Sequence, residues 1–287
     1  ERGSFSIILK KFIIELLKDF PLIIFKLKNI KAKVIFSTTK KTHLIILLAS
    51  LFNKNVNRII LYHHSYYPNI YSSFLYKLLI KKLIKLNESS LDIRHVFVSN
   101  FGLKTFSPLK EKNMFVIYNT VNNEEKLISL RQNSKKLCLK KKKVIALYCA
   151  LIPWKGILEL INGYDLLEES VKNIYPLKIY GDGIQKDLII DQCNKVYNLS
   201  YMGFSNPENI LRESCITICS SISFEACPIS VLESLASGKP TFSLGIGGQN
   251  EILYKNNKLI NCNNNNELIA SLVKLSTDKL LNLCDIN

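Results

Sequence analysis

Two carboxylates, Glu225 and Glu233, stand eight positions apart in the stretch Ser221-Ile-Ser-Phe-Glu-Ala-Cys-Pro-Ile-Ser-Val-Leu-Glu-Ser-Leu-Ala-Ser-Gly-Lys-Pro240. Pro228 suits the first turn of a helix, where its missing N–H would be unpaired anyway. Gly238 suits the stop of that helix, and Pro240 cannot extend it. Glu225 therefore falls in a loop ahead of the helix, and Glu233 falls inside it. A helix N-terminus at Pro228, Ile229 and Ser230 turns N–H groups and a partial positive charge toward the loop, which suits a phosphate or diphosphate. A carboxylate just before that turn could hydrogen-bond a sugar. One inside the helix could hold ribose hydroxyls. The plain alternative is a helix with two solvated acids.

Other residues offer matching chemistry. Lys155, in Leu151-Ile-Pro-Trp-Lys-Gly156, follows an expected strand and could neutralise a diphosphate; otherwise it is a solvated loop lysine. Tyr180-Gly-Asp-Gly183 ends a strand and opens a helix, and Gly181 there permits a tight turn and close backbone approach. Gly247-Gly248 follows a later strand, with Glu251 three residues on. His63 and His64, in Tyr62-His-His-Ser-Tyr-Tyr-Pro68, follow a strand in the first half, where α/β sheets carry their ligands. A structural role and a ligand role both fit them. No third metal ligand is near in sequence, so no metal site is expected.

This set resembles the retaining glycosyltransferases of family 4, whose donor site carries a Glu-x7-Glu pair in the same setting. The resemblance spans about residues 33–270, is densest over 144–253, and includes the flanks as well as the spacing. It implies the GT-B arrangement: an α/β protein with two Rossmann-like domains facing a cleft. It implies transfer of a sugar from a nucleotide-diphosphate sugar to a glycan or lipid-linked acceptor, with retention, in cell-surface polysaccharide or glycolipid synthesis. No cofactor or metal is implied. The family is described as working at one face of the sugar, with the leaving phosphate helping to deprotonate the acceptor. Carried onto this chain, the resemblance makes Glu225 and His64 the catalytic candidates, with His64 facing the sugar. It makes Lys155, Gly156, Gly181, Pro228, Ile229, Ser230, Glu233, Gly247 and Gly248 donor-binding.

The chain also departs from the family. Ala150 stands where an Arg neutralises the diphosphate, Cys149 where a Gly precedes it, and Asn250 where Pro is common. The family's opening strand and glycine-rich turn are not found, and the usual closing helix is not reached. The N-terminal domain is therefore expected to be incomplete. An inactive fragment, a non-catalytic membrane-surface binding protein of the same fold, and another GT-B enzyme such as a nucleotide-sugar epimerase stand as alternatives.

The elements that must position these residues are read from periodicity. Short β-branched runs alternate with longer, helically spaced ones, as in parallel βα units. Strands are expected at 33–37, 58–62, 94–99 and 113–118, then at 144–149, 177–180, 199–202, 215–219 and 241–244. Helices are expected near 42–52, 71–86 and 101–106, and from Lys155, Ile184 and Pro228. The Lys-rich stretch 123–143 reads as a linker between domains at 1–122 and 144–287, and 261–266 as an asparagine-rich loop.

With 287 residues, 47% hydrophobic and 22% charged, the composition is globular. Residues 1–123 hold 20 Lys/Arg against 6 Asp/Glu, and the rest 19 against 17, so +14 of the +16 net charge lies in the first part. An anionic partner is expected there. Residues 7–28 and 71–86 are apolar stretches interspersed with lysine. In the second, Lys77, Lys81 and Lys85 share one side, and Leu75, Leu79, Leu83 and Leu86 another. Such helices suit an anionic membrane surface or packing on a sheet. No nucleic-acid motif is present, so nucleic acid is not expected as a partner. All eight cysteines, Cys138 to Cys284, lie in the second part without zinc spacing, consistent with core thiols in a reducing compartment. No apolar run approaches the ~18 residues of a membrane span. The expected place is cytoplasmic, peripheral on the inner face of the cell membrane.

Overall fold

The computed structural model describes residues 32–52, 56–64, 71–87, 91–106, 113–254 and 264–274, together with Pro21 and Phe25. Most of the basic stretch 7–28, residues 65–68 and residues 261–263 lie outside the described residues. The chain divides into two compact units, Glu1–Tyr118 and Asn119–Asn287.

Unit 1 is a parallel sheet of β1 (Val34–Ser37), β2 (Arg58–His63), β3 (Asp92–Phe97) and β4 (Met114–Val116), in that spatial order. Parallel neighbours need crossovers. These are α1 (Lys40–Ser50), α2 (Tyr71–Asn87) and α3 (Asn100–Phe106). α1 starts in a capping box: Thr39 Oγ1 accepts from the Thr42 N–H, and Thr42 Oγ1 accepts from the Thr39 N–H. Leu44, Leu47, Ile59, Leu61, Ile80, Phe97 and Phe106 form the core. Each such burial contributes about 1.5–3 kcal/mol.

α2 corrects the expected split between its lysines and leucines. Lys77 is buried, its Nζ donating to the Thr105 carbonyl at 2.6 Å, and Leu83 packs in the core beside Ile80 and Ile84. The outward face mixes both types: Leu78, Leu79 and Leu86 are exposed together with Lys81, Lys82 and Lys85.

Unit 2 holds a second parallel sheet: β5 (Ile145–Tyr148), β6 (Leu177–Tyr180), β7 (Leu199–Tyr201), β8 (Ile216–Cys219) and β9 (Thr241–Ser243). Their spatial order is β7-β6-β5-β8-β9. The order reverses between β5 and β8, and a doubly wound sheet binds ligands in the crevice outside the carboxyl ends of the strands there. Both strands are buried along their whole length, as central parallel strands are. All expected strands are present, with ends shifted by at most two residues.

The helices of unit 2 are α4 (Glu124–Ser129), α5 (Arg131–Leu139), α6 (Ile157–Asp165), α7 (Glu169–Ile174), α8 (Lys186–Lys195) and α9 (Pro207–Glu213). They continue with α10 (Ile229–Ala236), α11 (Gln249–Tyr254) and α12 (Asn265–Val273). The stretch expected as a linker is thus α4 and α5. Leu127, Leu130, Ser134 and Cys138 recur at helical spacing and are all buried, while the lysines between them face outward. Likewise the described part of the asparagine tract expected as a loop is a helix start, because Asn264 caps α12 and Asn265 opens it.

Three histidines lie in the interior of unit 1. His43 Nε2 lies 3.0 Å from the Ser37 carbonyl, which can only accept, so Nε2 carries the proton and Nδ1 accepts from the Tyr76 hydroxyl at 2.7 Å. His63 Nε2 and His95 Nδ1 are 3.0 Å apart, one donating to the other. Burial pushes His43 down to about 4 and His63 well below its usual range. Unfolded, both titrate near 6.5, so below that pH the unfolded chain binds more protons than the folded one. Unit 1 is therefore expected to hold its full stability above about pH 6.5 and to lose it progressively toward pH 4. Thermal melting between pH 7.5 and 4.5 checks this, and the imidazole resonances of His43 and His63 should not titrate between pH 8 and 5.

Candidate active site

The loops that leave β5 and β8 lie on either side of the reversal point, and Lys155 and Glu225 sit on them. After β5 the chain makes a single 3-10 turn, Pro153–Lys155, ended by Gly156 at φ 64°. A side chain at Gly156 would place its Cβ 2.3 Å from the Ser220 carbonyl of the other loop, so glycine is required by conformation and by space. The two loops are laced together. Ser220 Oγ donates to the Lys155 carbonyl at 2.6 Å, and the Ile222 N–H donates to the Trp154 carbonyl at 3.1 Å. Asn265 Nδ2 donates to the carbonyls of Gly156 at 3.2 Å and Ser220 at 2.9 Å.

Lys155 Nζ reaches Glu225 Oε1 at 2.8 Å. The side chains are only 17% and 15% exposed, so the pair is largely out of water. Ser221 Oγ donates to the same carboxylate oxygen, and Cys219 Sγ lies 3.9 Å from it. Burial alone would lower the Lys155 pKa, but the Glu225 charge and hydrogen bond leave it raised. In a site this dry, removing either partner of such a pair typically costs about 3–5 kcal/mol, because the other charge is left uncompensated. The diphosphate candidate and the sugar candidate thus hold each other.

The glycines of the neighbouring turns set this geometry from two sides. Glu225 and Gly247 form a parallel bridge, and the Gly248 N–H donates to the Glu225 carbonyl at 2.7 Å. A Cβ on Gly248 would lie 1.7 Å from the Ala226 carbonyl, so the approach needs glycine. On the β6 side, Gly181 has φ 140°, and a Cβ there would meet the Cys149 carbonyl at 1.9 Å. Gly181 therefore shapes the turn after β5 by close packing.

α10 carries Glu233. Pro228 is its N-cap, one position earlier than expected, with Ile229 and Ser230 opening the first turn. At the other end the Gly238 N–H donates to the Leu235 carbonyl and the Lys239 N–H to the Ser234 carbonyl, a Schellman stop with Gly238 at φ 70°. Arg131 Nε and Ser134 Oγ of α5 donate to the last carbonyls, those of Ala236 and Ser237, each at 2.8 Å. Tyr148, at the end of β5, donates to the Ser230 carbonyl at 2.6 Å and lies 2.8 Å from Ser234 Oγ. Burial raises Glu233 to about 7. Cys149 and Cys219 are pushed up to about 12 and about 11, chiefly by burial, so neither is a thiolate near neutral pH.

Unit 2 thus brings Lys155, Gly156, Glu225, Gly247 and Gly248 together, with Pro228, Ile229, Ser230 and Glu233 on the helix that follows. His64 belongs to unit 1, exposed at the end of β2, with its ring centroid 4.5 Å from that of Tyr62. Sequence reasoning missed Ser221, Tyr148 and Asn265. A serine four residues before the loop carboxylate and a tyrosine at a strand end are visible signals, whereas an asparagine inside an asparagine tract carries none.

The profile of the family described as glycosyl transferases group 1 matches residues 129–285. Among solved structures, HepE of Anabaena in complex with UDP superposes with a TM-score of 0.71 at 16% identity, over 92% of this chain and 74% of that one. A glycosyltransferase of Rickettsia africae gives 0.68 at 19% identity, over 93% and 74%. The trehalose 6-phosphate synthase of Burkholderia multivorans gives 0.69 at 10% identity, over 99% and 72%. A search of curated proteins finds no match. At these identities the structural likenesses show the fold, an α/β protein of the GT-B type with Rossmann-like units. The family profile covers more than half of the chain, at residues that include every candidate of unit 2: the chain belongs to the group 1 glycosyl transferases.

Proposed function

We propose that the chain moves a sugar from a nucleotide-diphosphate donor to a glycan or lipid-linked acceptor with retention, as family 4 enzymes do, in cell-surface polysaccharide or glycolipid synthesis. The observation that carries the donor site is the Lys155–Glu225 pair, seated where the strand order reverses and next to the α10 N-terminus. A bound diphosphate competes with Glu225 for the Lys155 ammonium and gains the α10 dipole as well. The exchange frees the Glu225 carboxylate for a sugar hydroxyl while Ser221 still holds it in place. Glu233, behind the first turn of α10, holds ribose hydroxyls, and the Gly247-Gly248 backbone borders the sugar. Lys155 and the helix N-terminus supply the positive potential without a cofactor. The bond from the anomeric carbon to the diphosphate breaks, a bond to the acceptor oxygen forms on the same face, and the acceptor proton passes to the departing phosphate oxygen. His64 is the candidate contact to the sugar from unit 1. The UDP held by HepE supports a uridine-type donor.

We further assign the acceptor to a membrane surface, with the protein peripheral on the cytoplasmic face. Among the described residues no helix is long and apolar enough to cross a membrane. The outward face of α2 supports surface binding. Leu78, Leu79 and Leu86, exposed by 53%, 44% and 56%, can enter the headgroup region while Lys81, Lys82 and Lys85 meet anionic lipid.

Four outcomes are expected. Glu233→Gln should mainly raise KM for the donor with kcat less changed, and Glu225→Gln should lower kcat, because its contact strengthens as the glycosidic bond breaks. Donor affinity should rise as pH climbs through about 7, where Glu233 ionises, and Glu233→Gln should flatten that rise. Nucleotide release at several pH values measures both, and full activity in both variants would refute the site. Ala150→Arg, at an exposed position beside β5, should tighten nucleoside diphosphate binding by about 1.5–3 kcal/mol. Calorimetric titration of both forms checks this, and equal affinities would mean the loop faces away from the diphosphate. The protein should sediment with anionic vesicles but not neutral ones. At about 1 kcal/mol per basic residue, replacing Lys81, Lys82 and Lys85 by Gln should weaken partitioning roughly a hundredfold. Equal partitioning onto both vesicle types would remove the electrostatic argument.

A further inference from the structure

The carbonyl of Cys227 stands in the middle of the Glu225 loop, two residues after Glu225 and one before Pro228, the N-cap of α10. Cys227 is buried, and its carbonyl precedes the helical ladder, whose first acceptor is the Pro228 carbonyl, taken by the Leu232 N–H. A buried carbonyl outside the ladder needs a partner from elsewhere in the fold. Among the described residues that partner is Asn119, whose Nδ2 donates to it at 2.9 Å across 108 positions of sequence.

Asn119 is half-buried, and it is the first residue of unit 2. The residue before it, Tyr118, is fixed in unit 1, its hydroxyl accepting from Asn100 Nδ2 at 2.8 Å. One peptide bond thus separates an anchor in the first unit from an anchor on the Glu225 loop of the second. The segment that begins at Asn119 meets α10 at its far end as well, through Arg131 and Ser134. Between these ends, Val121, Leu127 and Leu130 pack in the cluster that includes Tyr148 and Ala236. α10 is therefore gripped at both ends by the stretch through which the chain enters unit 2.

The two grips hold different things. The far one stops a helix. The one at Asn119 acts on the short connection between Glu225 and that helix. Glu225 itself is held by Lys155, Ser221 and the Gly248 N–H. In the reaction proposed above the diphosphate takes Lys155, and the loop then depends on Ser221, Gly248 and Asn119. The first turn of α10 has a separate support in Tyr148, which donates to the Ser230 carbonyl. Loss of the Asn119 contact therefore disturbs Glu225 more than the diphosphate end of the site.

We propose that Asn119 is a positioning residue, which acts through the Cys227 carbonyl to hold Glu225 in place while the donor occupies Lys155. The assignment rests on the donor reading and deepens it.

Three substitutions separate hydrogen bonding from shape. Asn119→Ala removes the contact, Asn119→Asp keeps the outline but only accepts, and Asn119→Gln keeps an amide that donates. The first readout needs no ligand. It is hydrogen exchange at the Gly248 N–H, which is bonded to the Glu225 carbonyl. Its protection should fall about tenfold or more in Asn119→Ala and Asn119→Asp and return in Asn119→Gln. Amides of β5 and β6 exchanging as in the wild type report that the variants are folded. The second readout is release of UDP from UDP-glucose with water as the acceptor. Asn119→Ala should lower kcat about tenfold, as one hydrogen bond allows, with KM changed less than about threefold. In a Glu225→Gln background the same change should cost little more, because the two residues act as one unit. Unaltered Gly248 protection in Asn119→Ala and Asn119→Asp would overturn the proposal. So would an Asn119→Ala effect that adds in full to that of Glu225→Gln, the pattern of a merely structural contact. A wild-type chain that releases no UDP while the exchange pattern holds would count against the donor reading alone.

Discussion

An ammonium and a carboxylate drawn out of water must meet or be neutralised, and the arrangement of unit 2 follows from holding Lys155 against Glu225. The two groups come from loops more than sixty residues apart in the chain. They meet because β5 and β8 are neighbours in the sheet while their following helices leave toward opposite faces. The lacing around them, from Ser220, Ile222 and Asn265, satisfies backbone carbonyls that would otherwise sit unpaired next to a buried charge. The ion pair is also a store of positive and negative potential placed a few ångströms apart. On the proposed reading, the diphosphate and the hydroxylated ring of the donor each take over one half of the pair.

Much of this was readable in the amino-acid order. Strands such as 177–180 and 216–219 are short, β-branched and bounded by turn residues, so their type and place follow from pattern. The Glu225 loop and the Glu233 helix were legible because Pro228 and Gly238 punctuate them. What failed did so for specific reasons. α4 and α5 were hidden because lysine dominates the composition of 123–143. Yet a helix needs only one buried stripe, and Leu127, Leu130, Ser134 and Cys138 supply it. On α2 the split of lysines from leucines was misjudged. Which lysine can bury its stem depends on a carbonyl reaching it from another helix, here that of Thr105.

Pair geometry was not legible either. The residue types at Lys155 and Glu225 were read as two contacts to one ligand, and their mutual contact arises only from sheet order. Asn265 is a sharper case. Its neighbours are asparagines too, and only the distances of its amide from Gly156 and Ser220 separate it from them.

The way α10 ends has a consequence for how the chain can be divided. Its last carbonyls are met by Arg131 and Ser134, side chains that precede the first strand of unit 2 by more than ten residues. A fragment begun at Val144, where composition alone would place the start of the domain, would contain both glutamates, all five strands and the paired loops. It would still lack the donors that stop the Glu233 helix, and it would expose the apolar stripe that α5 covers. The smallest autonomous piece of this half of the protein is therefore longer than its sheet. Its edge is defined by where one helix finds the partners for its final turn.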